Sequence, residues 1–160
     1  MKKIAVAILL IMSLGGMLFY IYQLLVYKPY HCDAQIFSNL GVKGDDDDRV
    51  EVNTHIDIVY SSSHNGIMKF VGSVKHKGNS YILKRTILFT FAPSELENIN
   101  KVTFTGTMIH PTDNLPENLW LSRVLPQTPG IEFYSETRTI NNNAIIYRGF
   151  SNPLVICVRR

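Results

Sequence analysis

The sequence has almost none of the parts from which catalytic sites are built. It contains no nucleophile elbow, no H-E-x-x-H, no P-loop, no dinucleotide glycine motif and no C-x-x-C pair. Hydrolytic, nucleotide-dependent and thiol-redox chemistries therefore have no recognisable starting point. The five histidines are scattered without a ligand spacing, so no catalytic residue, metal ligand or cofactor is expected. No polybasic patch occurs, and Arg159-Arg160 is too short to be one, so direct nucleic-acid binding is not expected either. Internal repeats, low-complexity tracts and proline-rich linkers are also missing.

What is present begins with a greasy run. Residues 4–27 are 24 positions without a charge, preceded by Lys2-Lys3 and followed by Lys28. As a helix the run would span ~36 Å, enough to cross a bilayer core of about 30 Å with some tilt. A cleaved export signal has a shorter apolar region and a small-residue cleavage site. This run instead continues through Phe19, Tyr20, Ile21, Tyr22, Leu24, Leu25, Val26 and Tyr27 without an A-x-A. It reads as a permanent anchor, with Tyr20, Tyr22, Tyr27 and Tyr30 at an interfacial belt. Two lysines before the run and one after it favour a cytoplasmic N-terminus. The expected division is a cytoplasmic stub at 1–3, a transmembrane anchor at 4–27 and an outer domain at 28–160.

Residues 29–160 hold 13 of the 16 Lys+Arg and all 13 Asp+Glu, so this part has a formal charge of zero. Its 132 residues suffice for one domain with a real core. Cys32 opens the domain and Cys157 nearly ends it. Outside the cytoplasm an even pair reads as a disulfide, the alternative being two buried free thiols.

The domain reads as strands. Along 49–60, Val50, Val52, Thr54, Ile56, Ile58 and Tyr60 point one way while Arg49, Glu51, Asn53, His55 and Asp57 point the other, the period of a half-buried strand. Further strands are expected at 32–38, 67–76, 81–92, 101–109, 131–140, 144–149 and 153–159, with turn clusters between them. The 81–92 segment is apolar on both faces and is expected to be central in the sheet. Helical breaks are expected at 93–99 and, more strongly, at 113–125. In the second, Asp113 or Asn114 can cap, Pro116 can open, and Leu119, Trp120 and Val124 can face the sheet. The fold class is thus mainly β with a minor α part: an anchor helix, then an antiparallel lipocalin-like barrel or strongly bent sheet with one or two short helices.

Three features remain. Trp120, the only tryptophan, reads first as a plug residue at one end of a barrel and second as a contact for a bound ligand. The run GDDDDR at 44–49 lacks the alternating carboxylates of a calcium loop and reads as a solvated loop. His55, His64, His76 and His110 are candidates for a response to external pH, because imidazoles titrate near pH 6.5.

The layout resembles the small anchored partners of enterobacterial membrane-bound transcription regulators: the FidL-like family, the PsaF/MyfF proteins, and more distantly ToxS and VtrC. The resemblance rests on Lys2-Lys3, Cys32, MKFVGSV at 68–74, YILKRTILFTF at 81–91, HPTDNLPENLW at 110–120 and NPLVICVRR at 152–160. It leaves FidL-like and PsaF/MyfF membership both open. It implies an inner-membrane protein with a periplasmic domain that forms a heterodimer with a ToxR-like winged-helix regulator of fimbrial or virulence genes. It also implies a barrel, shared with that partner, for a bile-salt-like or fatty-acid-like amphipath. The physical logic is that a barrel lacking strands offers an edge to another chain. The alternatives are a stand-alone lipocalin-like binder and a fimbrial assembly factor.

Overall fold

The computed structural model describes residues 2–26, 30–41, 49–62, 64–141, 143–149 and 153–159. Helix α1 spans Lys2–Val26. Eight strands follow: β1 Tyr30–Leu40, β2 Val50–Tyr60, β3 Asn65–His76, β4 Asn79–Pro93, β5 Ile99–Ile109, β6 Glu132–Thr139, β7 Ala144–Arg148 and β8 Pro153–Arg159. They close into an antiparallel barrel in sequence order. Of the two β arrangements legible in the sequence, the barrel is the one adopted. Closure also removes the free edge on which completion by a partner's strand would depend.

The alternation expected on β2 is the alternation observed. Val50, Val52, Thr54, Ile56 and Ile58 are buried inside, and Asn53 and His55 are exposed outside. β4 is central as expected, paired with β3 on one side and β5 on the other. Leu83, Arg85, Ile87 and Phe89 point inward and are buried, but Ile82 and Leu88 are exposed on the outer wall. A closed barrel has one inner face, so apolar residues on the other face meet solvent. Gly72 on β3 lies so close to β2 that an added Cβ would collide with the Asn53 carbonyl and Thr54 Cα. Any side chain there would push the two strands apart.

The wall is not equally strong all round. β2 and β3 pair along 11 positions, from Val50–His76 to Tyr60–Gly66. Among the described residues β1 meets β8 at two, Cys32 opposite Arg159 and Asp33 opposite Val158. A disulfide between Cys32 and Cys157 sits at this seam, with Cα atoms 5.6 Å apart and both residues fully buried.

No helix forms at 93–99: Pro93 ends β4, and Ser94 N–H donates to the Ile99 carbonyl across a turn. The second break is helical but short, with α2 at Glu117–Leu119 and one π-helical turn at Trp120–Val124. Asp113 and Asn114 do not cap it. Their side chains accept hydrogen bonds from the backbone N–H groups of Lys84 (2.7 Å) and Ile82 (2.6 Å). Beyond the end of β5, β4 would otherwise lose its partners, and these side chains supply them. Residues 110–125 thereby cross one end of the barrel as a plug.

Among the described residues no helix is long and apolar enough to cross a membrane by itself. The side chains of residues 2–7, 9 and 23–26 of α1 lie outside the described set, as do Tyr27 and the aspartates of the GDDDDR run. Where side chains of α1 are described, its large apolar residues are exposed, among them Leu10, Ile11, Met17 and Phe19.

Candidate ligand-binding site

The barrel encloses a cavity of about 480 Å³. Its lining comes from the inward positions of the strands. Ile56, Ile58, Met68, Phe70, Phe89, Phe91, Val102, Phe104 and Phe133 supply most of it, with Val124 from the plug. The aromatic rings meet edge to face: Tyr60 lies 4.9 Å from Phe91 and 5.6 Å from Phe89, and Phe104 lies 5.1 Å from Phe133. Such pairs fix the shape of an apolar chamber.

The polar atoms of the lining are not scattered. Tyr60, Ser62, Asn100, Ser135, Thr137 and Tyr147 lie toward one end of the barrel: Tyr60 pairs with Tyr30, Asn100 with Pro93 and with Ser135, and Thr137, whose N–H donates to the Asn98 carbonyl, pairs with Tyr147. The Tyr60 hydroxyl donates to the Tyr147 hydroxyl at 3.1 Å. This is the end at which β1 begins. Tyr30 follows Val26, the last residue of α1, by four positions, so that end of the barrel lies within ~14 Å of the helix terminus. Apart from tyrosines, the lining carries no ionisable side chain. The lining offers an apolar shape and hydroxyl and amide groups for hydrogen bonding.

The opposite end is closed by a charge network centred on the buried Arg85–Asp113 pair, with Glu117 at its exposed edge. Arg85 points into the barrel with its side chain 2% exposed. It donates to Asp113 (3.1 Å), to Glu117 and to the Leu115 carbonyl. Its guanidinium stacks 5.1 Å from the Trp120 ring. Burial pushes Asp113 toward neutrality, but hydrogen bonds from Arg85 and from the Lys84 and Leu115 N–H groups outweigh it and hold the carboxyl below its ordinary value of 3.8. For Arg85 the same partners overcome burial and raise its affinity for the proton.

Trp120 is fully buried, stands edge to face on Phe70 at 5.2 Å, and is not among the cavity-lining residues. Its place is the inner surface of the plug. The four candidate histidines are not brought together. His55 lies on the outer face of β2, His64 in the β2–β3 turn, His76 at the end of β3 and His110 in the turn after β5, against Thr112. None lines the cavity.

A family model described as FidL-like putative membrane protein matches residues 72–157, a span that includes β4, the plug and Cys157. The chain belongs to this family. Of the two memberships left open by the sequence motifs, the FidL-like one is the one matched. No curated protein and no solved structure matches the chain. In this FidL-like protein the residues that fix the plug, Arg85, Asp113 and Glu117, were not singled out as a set from the sequence. A lone arginine inside the apolar alternation of 81–91 was the available signal.

Proposed function

We propose that this FidL-like protein is a membrane-tethered accessory protein whose barrel holds an amphipathic molecule of the bile-salt or fatty-acid type. The observation that carries the reading is the polarity of the cavity: apolar throughout its depth and polar at the end adjoining α1. An amphipath leaving the bilayer would enter tail first and leave its head among Tyr60, Asn100, Thr137 and Tyr147. The uncharged run 4–27, the helix Lys2–Val26 that takes in most of it and the exposure of that helix's described apolar side chains support its role as the anchor. With Lys2-Lys3 inside, the barrel would stand in the periplasm, tied to the inner membrane.

The direct test uses the full chain in lipid nanodiscs, since detergent would compete for the cavity. Thr137→Trp, at the partly exposed polar end, should weaken binding of a fluorescent fatty acid or a bile salt by tenfold or more with the thermal midpoint little changed. Binding that is absent in the wild type or unaffected by the variant would refute the reading.

The partner implied by the family resemblance is a membrane-bound winged-helix regulator. Confinement of both proteins to one membrane raises their effective concentration, and ligand would act by differential affinity for two states of the pair. Closure of the barrel without outside strands favours the stand-alone binder as the second reading. Co-isolation from native membranes in a lipid-preserving polymer discriminates between them. A winged-helix membrane protein in the complex is the expected result, and its reproducible absence leaves the stand-alone binder.

A further inference from the structure

On the outer wall, β1 and β2 bring together side chains that the linear sequence keeps apart. Asp33 stands directly opposite Asp57, with His31 two residues before Asp33 on β1 and His55 two residues before Asp57 on β2, one on each side of the pair. Directly opposed like charges destabilise a strand pair, so this arrangement calls for a cation. The donor atoms of His31, Asp33 and Asp57 lie within 4.8 Å of one another. His31 Nε2 and His55 Nε2 are each 3.6 Å from Asp33 Oδ1, and His31 also contacts Asp57. Ligands on a tetrahedral zinc ion at bond lengths of about 2.0–2.2 Å stand ~3.4 Å apart, so these separations need little adjustment beyond parting His31 from Asp57. Asp33 is mostly covered, its side chain 13% exposed. Lys69, opposite Asp57 on β3, is the other charged neighbour.

We propose that His31, Asp33 and Asp57 form a binding site for a divalent transition-metal ion of the zinc type, with His55 as the positioning residue that holds Asp33. Mixed imidazole and carboxylate donors suit such ions better than calcium or magnesium. Two carboxylates and a neutral imidazole match the charge of a dication, and three protein ligands leave the fourth position to water or an outside ligand. The site lies five residues past the end of α1 and beside the two-residue contact of β1 with β8. A bound ion would brace the barrel at its membrane-side end.

The test uses the full chain in tag-free nanodiscs, stripped with chelator and titrated with zinc(II) alone at pH 7.5. One saturable equivalent is expected. His31→Gln should abolish saturation, and His55→Gln should weaken it by about 10–100-fold through the loss of an outer-shell partner. His110→Gln, on the remote turn, should leave it unchanged. If His31→Gln fails to fold by circular dichroism, the isosteric Asp57→Asn serves in its place. No saturable zinc at pH 7.5, or equal affinity in the ligand variants and in His110→Gln, overturns the proposal.

Discussion

Replacing Arg85 with methionine should lower the stability of the barrel by about 3–5 kcal/mol, the usual cost of removing one partner from a buried ion pair. The reason is Asp113, whose side chain is 1% exposed. Without the guanidinium its carboxylate stays buried, anchored only by the Lys84 and Leu115 N–H groups. Trp120 would lose its stacked cation at the same time. Domains of this size are stable by roughly 5–15 kcal/mol, so thermal denaturation should show a large fall in midpoint. Adding Asp113→Asn should recover part of the loss, because the amide still accepts the same backbone hydrogen bonds through its oxygen. A fall below about 1 kcal/mol, or strict additivity of the two changes, would show that the network does not hold the plug. The pH dependence has a definite sign. The folded pKa of Asp113 is lowered from 3.8, so its contribution is complete above the unfolded value and is lost as pH falls through the folded one. Asp57, also lowered, acts in the same direction. In the Arg85→Met variant burial becomes the dominant cause at Asp113 and raises its pKa. Acidification through that range then relieves a penalty, and the variant should show a flatter acid limb than the wild type in urea midpoints measured from pH 2 to 6.

Removing the Cys32–Cys157 bond in a Cys32→Ala/Cys157→Ala variant should cost up to about 4–5 kcal/mol in the chain-entropy model. The two cysteines are 125 residues apart, so the bond removes much freedom from the unfolded chain. Location makes the effect specific. The bond joins β1 to β8 where the ladder among the described residues holds Cys32–Arg159 and Asp33–Val158, so its loss leaves the weakest described seam of the barrel unsupported. Amide exchange should report this first in β1 and β8, while β2, β3 and β4 keep their protection. Equal loss of protection across all strands, or a change in stability below about 1 kcal/mol, would contradict a seam-specific role.

Much of the fold was legible because strand patterning is local. The alternation of Val50, Val52, Thr54, Ile56 and Ile58, and the turn residues between the runs, marked eight strands that correspond to those observed. Barrel against bent sheet was not legible, because closure is a long-range event between β1 and β8 that no window of sequence contains. The helical reading of 113–125 was right about place and wrong about capping, since Asp113 and Asn114 found the open side of β4 instead. Arg85 stood out only as an arginine inside an apolar run, and its place in the plug network was not legible for the same kind of reason. Its environment is built by residues 28–32 positions away. The His31–Asp33–Asp57 group depends on the β1–β2 register, and register is a property of the pair, not of either strand alone.

By itself the sequence determined the uncharged N-terminal run, a mainly β domain with its inward and outward faces, and the cysteine pair suited to bridging its two ends. These follow from hydropathy and periodicity, which act between neighbours along the chain. Only the tertiary structure decided that the strands close on themselves, that a plug sealed by Arg85 leaves a chamber of about 480 Å³, and that the polar end of this chamber adjoins α1. Each of these is a meeting of distant residues, fixed by how the strands register and not by the order in which they are written.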